Sequence, residues 1–248
     1  MTPSEQAAFA RRALPLLDLT DLSDSCTETG IDALCAKARA GGAAAICVWP
    51  QFVTRGARAL AGTGIAIATV INFPKGGEDV ERAVEDTEEA LGDGAQEIDL
   101  VLPYRAFLQG DERPAREMIE AVRGLCDGDR LLKVILETGE LRSPEAITAA
   151  SRLALEAGAD FLKTSTGKSP VSATLDAASA MLTVIRDHRG ARPAGLKISG
   201  GLRSLADAEP YLALADTVMG PNWASPARFR FGASSLYAEL VAARDAVP

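Results

Sequence analysis

The chain has 248 residues, 47% hydrophobic and 24% charged, with a formal net charge of −8 and a mean hydropathy near zero. This is the profile of a folded, water-soluble chain, and it excludes disorder, collagen and coiled coil. The acidic balance speaks against a nucleic-acid or anionic-membrane surface, although a local cationic cluster can still hold a small anion. At this length one core is close to its practical maximum, so the choice is between two modest domains and one large α/β domain.

Short apolar runs bounded by Gly or Pro predict eight strands, at 13–19, 43–49, 65–72, 96–102, 131–137, 160–165, 194–199 and 216–219. The stretch before the first run reads as a short extra helix. Helical patterns fill the intervals. Val80, Val84, Thr87 and Leu91 form one stripe, with Gly92 as its stop. Ser143-Pro144 is an N-cap with proline at the first helical position, ahead of Ile147, Ala150, Leu153 and Ala157. Leu175, Ala178, Leu182 and Ile185 form a third stripe ending near His188, which reads as a solvated cap. Alternation without a linker, and strands apolar on both faces, predict an α/β fold: a single (β/α)8 barrel domain over 1–248, with its chemistry at the C-terminal strand ends. A doubly wound sheet is the alternative, but the first strand lacks a GxGxxG turn.

Cys26, Cys35, Cys47 and Cys126 show no CxxC spacing, and His188 is the one histidine. That pattern predicts reduced thiols in a cytoplasmic protein, with no metal and no cofactor. The N-terminus is too short in apolar residues for a signal segment, and no run reaches membrane-spanning length.

Lysine is scarce: of 26 basic residues 20 are Arg and six are Lys, at 37, 75, 133, 163, 168 and 197. Lys133, Lys163 and Lys197 fall inside predicted strands. Interior lysines often only snorkel or pair with carboxylates, but a pair on neighbouring strands has a chemical use. An amine attacks a carbonyl only when neutral, and burial beside a second cation lowers its pKa. Asp99 shares a strand face with Glu97 and Val101. It serves either as a proton acceptor or as a structural ion-pair partner; Asp18 is a weaker candidate of the same kind. Gly167-Lys168, Gly200-Gly201-Leu202-Arg203 and Gly232-Ala233-Ser234-Ser235 suit an anion cradle at the late loops, the last of them expected to open the final helix.

Phe161-Leu162-Lys163-Thr164-Ser165-Thr166-Gly167 and Leu196-Lys197-Ile198-Ser199-Gly200-Gly201-Leu202-Arg203 together resemble the signature pair of the 2-deoxyribose-5-phosphate aldolase family, which are class I aldolases. The likeness extends through Leu17 to Thr20, Ala45 to Val48, Glu97 to Tyr104, Glu137-Thr138-Gly139 and Arg230 to Ser235. It implies a Schiff base on Lys163, a pKa-lowering Lys197 and a proton-transfer role for Asp99. It also implies phosphate held by Gly167, Lys168, Gly200, Gly201, Arg203, Gly232, Ser234 and Ser235, with Asp18 and Cys47 near the substrate. The substrates implied are small phosphorylated sugars and aldehydes, and family members are often homodimers. Longer relatives end in a tyrosine-bearing tail, whereas this chain ends Ala246-Val247-Pro248, which puts a tail-assisted proton relay in doubt. The alternatives are another class I aldolase or transaldolase, and a phosphosugar-binding barrel without chemistry.

Overall fold

The computed structural model describes residues 1–246; Val247 and Pro248, where the expectation about the tail partly falls, lie outside the described residues. Eight parallel strands close into a barrel in chain order: β1 (Leu17–Asp21), β2 (Ala45–Val48), β3 (Ala66–Ile71), β4 (Glu97–Val101), β5 (Leu131–Ile135), β6 (Phe161–Lys163), β7 (Gly195–Ser199) and β8 (Phe229–Ala233). The helices are α1 (Pro3–Ala13), α2 (Glu28–Gly41), α3 (Val53–Ala59), α4 (Val80–Gly92), α5 (Tyr104–Leu108), α6 (Arg113–Leu125), α7 (Thr138–Leu141), α8 (Pro144–Glu156), α9 (Leu175–Asp187), α10 (Leu205–Met219) and α11 (Leu236–Asp245). This is the TIM barrel expected from the strand–helix alternation. The extra N-terminal helix is α1, started by a capping box in which Thr2 and Glu5 satisfy each other's backbone N–H.

Strand alternation sorts the residues into two shells. Ile46, Ile98, Leu100, Leu132, Val134, Leu162, Leu196, Ile198, Phe229 and Phe231 point outward and are buried under the helices. Each contributes about 1.5–3 kcal/mol by leaving water. The helix signals predicted from the sequence hold at Ser143, whose hydroxyl accepts from Ala146 N at 3.1 Å, and Thr174 caps α9 in the same way.

Two strands differ from expectation. The run at 13–19 starts too early: Ala13 ends α1, Leu14–Leu16 forms a 3-10 turn with Pro15 near its start, and β1 begins at Leu17. Asp18 therefore lies near the beginning of β1. The run at 216–219 is the last turn of α10, and the eighth strand is Phe229–Ala233. Gly232 and Ala233 consequently belong to a strand, and the final helix opens after Ser235.

Candidate active site

The inner shell is charged. Asp18 on β1, Glu97 and Asp99 on β4, Lys133 on β5, Lys163 on β6, Lys197 on β7 and Arg230 on β8 all lie inside the barrel and are buried. Backbone register puts Asp99 opposite Lys133, and Lys163 opposite Lys197. The neighbour relation expected for the lysine pair is thus direct. Beside β2 and β3 the interior is apolar, with Cys47, Ala68 and Val70 packed together with Leu22 against Trp49 and Phe73.

Asp99 is the hub. Its Oδ2 accepts from Lys163 Nζ and from Lys197 Nζ, each at 2.7 Å, and its Oδ1 accepts from Lys133 Nζ at 2.9 Å. One oxygen therefore joins the two facing amines. Asp18 Oδ2 lies 2.6 Å from Lys197 Nζ as an ion pair whose angle falls short of a hydrogen bond, and Asp18 Oδ1 accepts from Arg230 at 2.5 Å. Arg230 also donates to Glu97 Oε1 at 3.0 Å, and Lys133 donates to Glu97 Oε2 at 2.5 Å.

These contacts divide the cations. Burial opposes every one of the ammonium groups. For Lys197 the nearby Asp18 and Asp99 outweigh it, and for Lys133 Asp99 and Glu97 do, so both pKa values stand above the ordinary lysine value. For Lys163 burial prevails: Asp99 opposes it, Lys197 adds to it, and the amine is pushed below its ordinary value. Asp99, despite burial, is held well below the usual carboxylate range by Lys133, Lys163 and Lys197. Burial raises the Cys47 thiol, whose Sγ lies 3.9 Å from Asp99 Oδ2.

A cavity of about 300 Å3 opens above Lys163 at the C-terminal strand ends. Lys163, Gly167, Lys168, Gly200, Gly201, Arg203, Gly232, Ser234 and Ser235 all line it, so the structure brings the expected cradle and the amine together. Asp18 and Cys47 do not line it; both are fully buried. Gly200 and Gly201 both have φ of 85°, the left-handed region, and a Cβ on Gly200 would lie 2.5 Å from Ser172 Oγ. Gly232 serves differently: a Cβ there would lie 3.0 Å from Lys197 Cε, so its absence leaves the lysine a channel. Ser235 starts α11 without a side-chain capping bond. Lys168 Nζ lies 3.7 Å from Asp24 and 5.8 Å from the centre of the Trp49 ring, arched across the mouth. A larger hollow of about 480 Å3, lined by residues of α7, α8 and the start of α9, shares no lining residue with this cavity and contains no lysine.

Three side chains around the site received no role from sequence reasoning. Arg230 is hidden in Phe229-Arg230-Phe231, where a cation between two aromatics is itself the strand signal. Glu97 was visible only as a neighbour of Asp99. Glu137, 2% exposed with φ of 56°, accepts from Thr166 Oγ1 at 2.5 Å and from Ser169 Oγ at 3.0 Å. Thr166 Oγ1 in turn accepts from Lys168 N at 3.0 Å, so Glu137 fixes the loop that carries Gly167 and Lys168.

Several known proteins are similar to this chain in sequence and fold. A family model for DeoC/LacD family aldolases matches residues 13–236. A curated relative, deoxyribose-phosphate aldolase of Agrobacterium fabrum (strain C58 / ATCC 33970), is 52% identical over 243 residues, 96% of this chain and 92% of that protein. Among solved structures, a candidate deoxyribose-phosphate aldolase of Toxoplasma gondii ME49 superposes with a TM-score of 0.91 at 26% identity, covering 100% of this chain and 98% of that one. An aldolase designated QR15 gives 0.80 at 27% identity, covering 95% and 99%. With most of its length matched and its barrel shared, the chain belongs to the DeoC/LacD family of aldolases and is a carbon–carbon lyase.

Proposed function

We propose that the chain catalyses reversible retro-aldol cleavage of 2-deoxy-D-ribose 5-phosphate to D-glyceraldehyde 3-phosphate and acetaldehyde, in deoxyribose phosphate breakdown in the cytoplasm. The observation that carries the reading is that Lys163, alone among the buried lysines, is pushed toward the neutral amine, and it lines the same cavity as the glycine and serine cradle. The activity of the Agrobacterium fabrum relative supports the choice of substrate.

Neutral Lys163 attacks C1 of the open-chain sugar, and the carbinolamine takes up a proton from solvent and loses water to give a protonated imine, the proton being returned when the imine is finally hydrolysed. A proton leaves the C3 hydroxyl through water oriented at the Asp99 and Lys197 pair as the C2–C3 bond breaks, its electrons flowing into the imine to form an enamine. Glyceraldehyde 3-phosphate departs. The same relay returns the proton to the enamine carbon, and water hydrolyses the imine, freeing acetaldehyde and the amine. Lys197 stays charged beside Asp18 and Asp99 and keeps Lys163 from holding a proton. The phosphate sits on the backbone of Gly167, Gly200, Gly201 and Gly232, with Lys168, Arg203, Ser234 and Ser235 supplying charge and hydroxyls. Asp18 and Cys47 lie below the substrate, Asp18 by anchoring Lys197 and Cys47 as part of the floor.

Borohydride reduction in the presence of acetaldehyde or substrate, followed by peptide mass mapping, tests this. The expected result is an adduct on the peptide bearing Lys163. A reduced protein with no adduct there refutes the Schiff-base assignment.

A further inference from the structure

Among the described residues the barrel interior holds four cations, Lys133, Lys163, Lys197 and Arg230, and three carboxylates, Asp18, Glu97 and Asp99. With every group ionised the cluster carries one positive charge too many, in a region where neither bulk water nor salt screens it. Releasing one proton balances it. The proton that leaves most easily is that of Lys163. Its ammonium has one carboxylate contact, Asp99, and that oxygen is shared with Lys197. Lys133 by contrast touches both Glu97 and Asp99, and Arg230 both Asp18 and Glu97.

We propose that Lys133, Glu97 and Arg230, none of which lines the cavity, are positioning residues that fix the proton count of the cluster and so keep Lys163 a free amine. They act through Asp99 and Asp18. Lys133 occupies Asp99 Oδ1, opposite the oxygen that joins the two facing lysines, and Glu97 bridges Lys133 to Arg230. The remaining neighbours add no competing charge. β3 contributes Ala68 and Val70, and the Cys47 thiol on β2 is kept protonated by burial. Lys133, Glu97 and Arg230 thus form a set outside the cavity lining whose sum of charges matters more than the identity of any one pair. A purely structural ion pair has no such dependence.

The inference rests on the Schiff-base reading of Lys163, and the test separates the two. Wild type, Glu97→Gln, Lys133→Met and the double variant are treated with acetaldehyde and a hydride donor across a pH series, and the midpoint of adduct formation on the Lys163 peptide is read by mass spectrometry. Removing the negative charge of Glu97 moves the midpoint to lower pH. Removing the positive charge of Lys133 moves it to higher pH, each by about one unit or more for a charge within several ångströms in a poorly screened site. The double variant, with the original charge sum, returns to the wild-type midpoint. Midpoints that stay put in both single variants, or that move in the same direction, overturn the inference while the adduct itself leaves the proposed function standing. Absence of the adduct from wild type overturns both. Should one single variant fail to fold, the other must still move in its stated direction and the double must not; any other pattern overturns the inference.

Discussion

Glu137 offers the sharpest separation of phosphate binding from amine chemistry. Glu137→Gln keeps the volume of the side chain but removes the charge that receives the Thr166 and Ser169 hydroxyls at 2.5 and 3.0 Å. Thr166 cannot simply turn round to compensate, because its oxygen already accepts from Lys168 N. A hydrogen bond to a charged acceptor contributes about 1.5–3 kcal/mol, against about 1 kcal/mol for a neutral one, so the loop loses on the order of 2 kcal/mol of ordering. Converted at 1.4 kcal/mol per decade, that raises KM for the phosphorylated substrate about 30-fold. Acetaldehyde has no phosphate, so hydride trapping of its adduct on Lys163 proceeds at the wild-type rate and pH. Steady-state kinetics with 2-deoxyribose 5-phosphate, set beside the trapping rate with acetaldehyde, give the answer. An unchanged KM, or a loss shared equally by both reactions, refutes the argument that Glu137 acts through the cradle loop.

Lys197→Met removes the cation that keeps Lys163 neutral and leaves Asp99 to favour its ammonium form. The Lys163 pKa then rises, and because the free amine is the reactive form, the acid limb of kcat/KM moves to higher pH by about two units. A limb that stays in place argues against the electrostatic role. Gly232→Ala puts a methyl about 3.0 Å from Lys197 Cε, and kcat falls about tenfold through misplacement of the amine, read by single-turnover kinetics. Asp160 accepts from Arg123 at 2.6 Å, Arg192 at 2.5 Å and Leu132 N at 2.8 Å, away from the cavity. Asp160→Asn costs about 3 kcal/mol by breaking a buried pair, lowering Tm by about 6–12 °C without moving the trapping midpoint.

The barrel was legible because its outward-facing residues are apolar at every second position, giving runs such as Leu131 to Leu136. Legibility failed where the inward residues interrupt the run. Phe229–Ala233 has Arg230 and Gly232 on its inner face, so it reads as no apolar run at all, whereas Asp216 to Met219 reads as one and is helical. A four-residue run carries too little period to separate a strand from a helix turn. Pro15 did not stop the first predicted strand from being extended backward over a 3-10 turn. Lys163 and Lys197 were recoverable from scarcity and position. Their sharing of one Asp99 oxygen was not, because that follows from register across four strands and no local pattern encodes it. The same holds for Glu137, whose partners lie 29 and 32 positions away.

The two shells of the barrel answer to different demands. Aliphatic and aromatic side chains between strands and helices supply the free energy of folding, while the seven buried ionisable groups inside give up hydration for mutual contacts that roughly break even. A sequence chosen for stability alone would fill that interior with valine and leucine, as barrels without an internal charge cluster do. Thermal tolerance in this protein is therefore best sought in the outer layer, where it can be improved without disturbing the proton balance on which the amine depends.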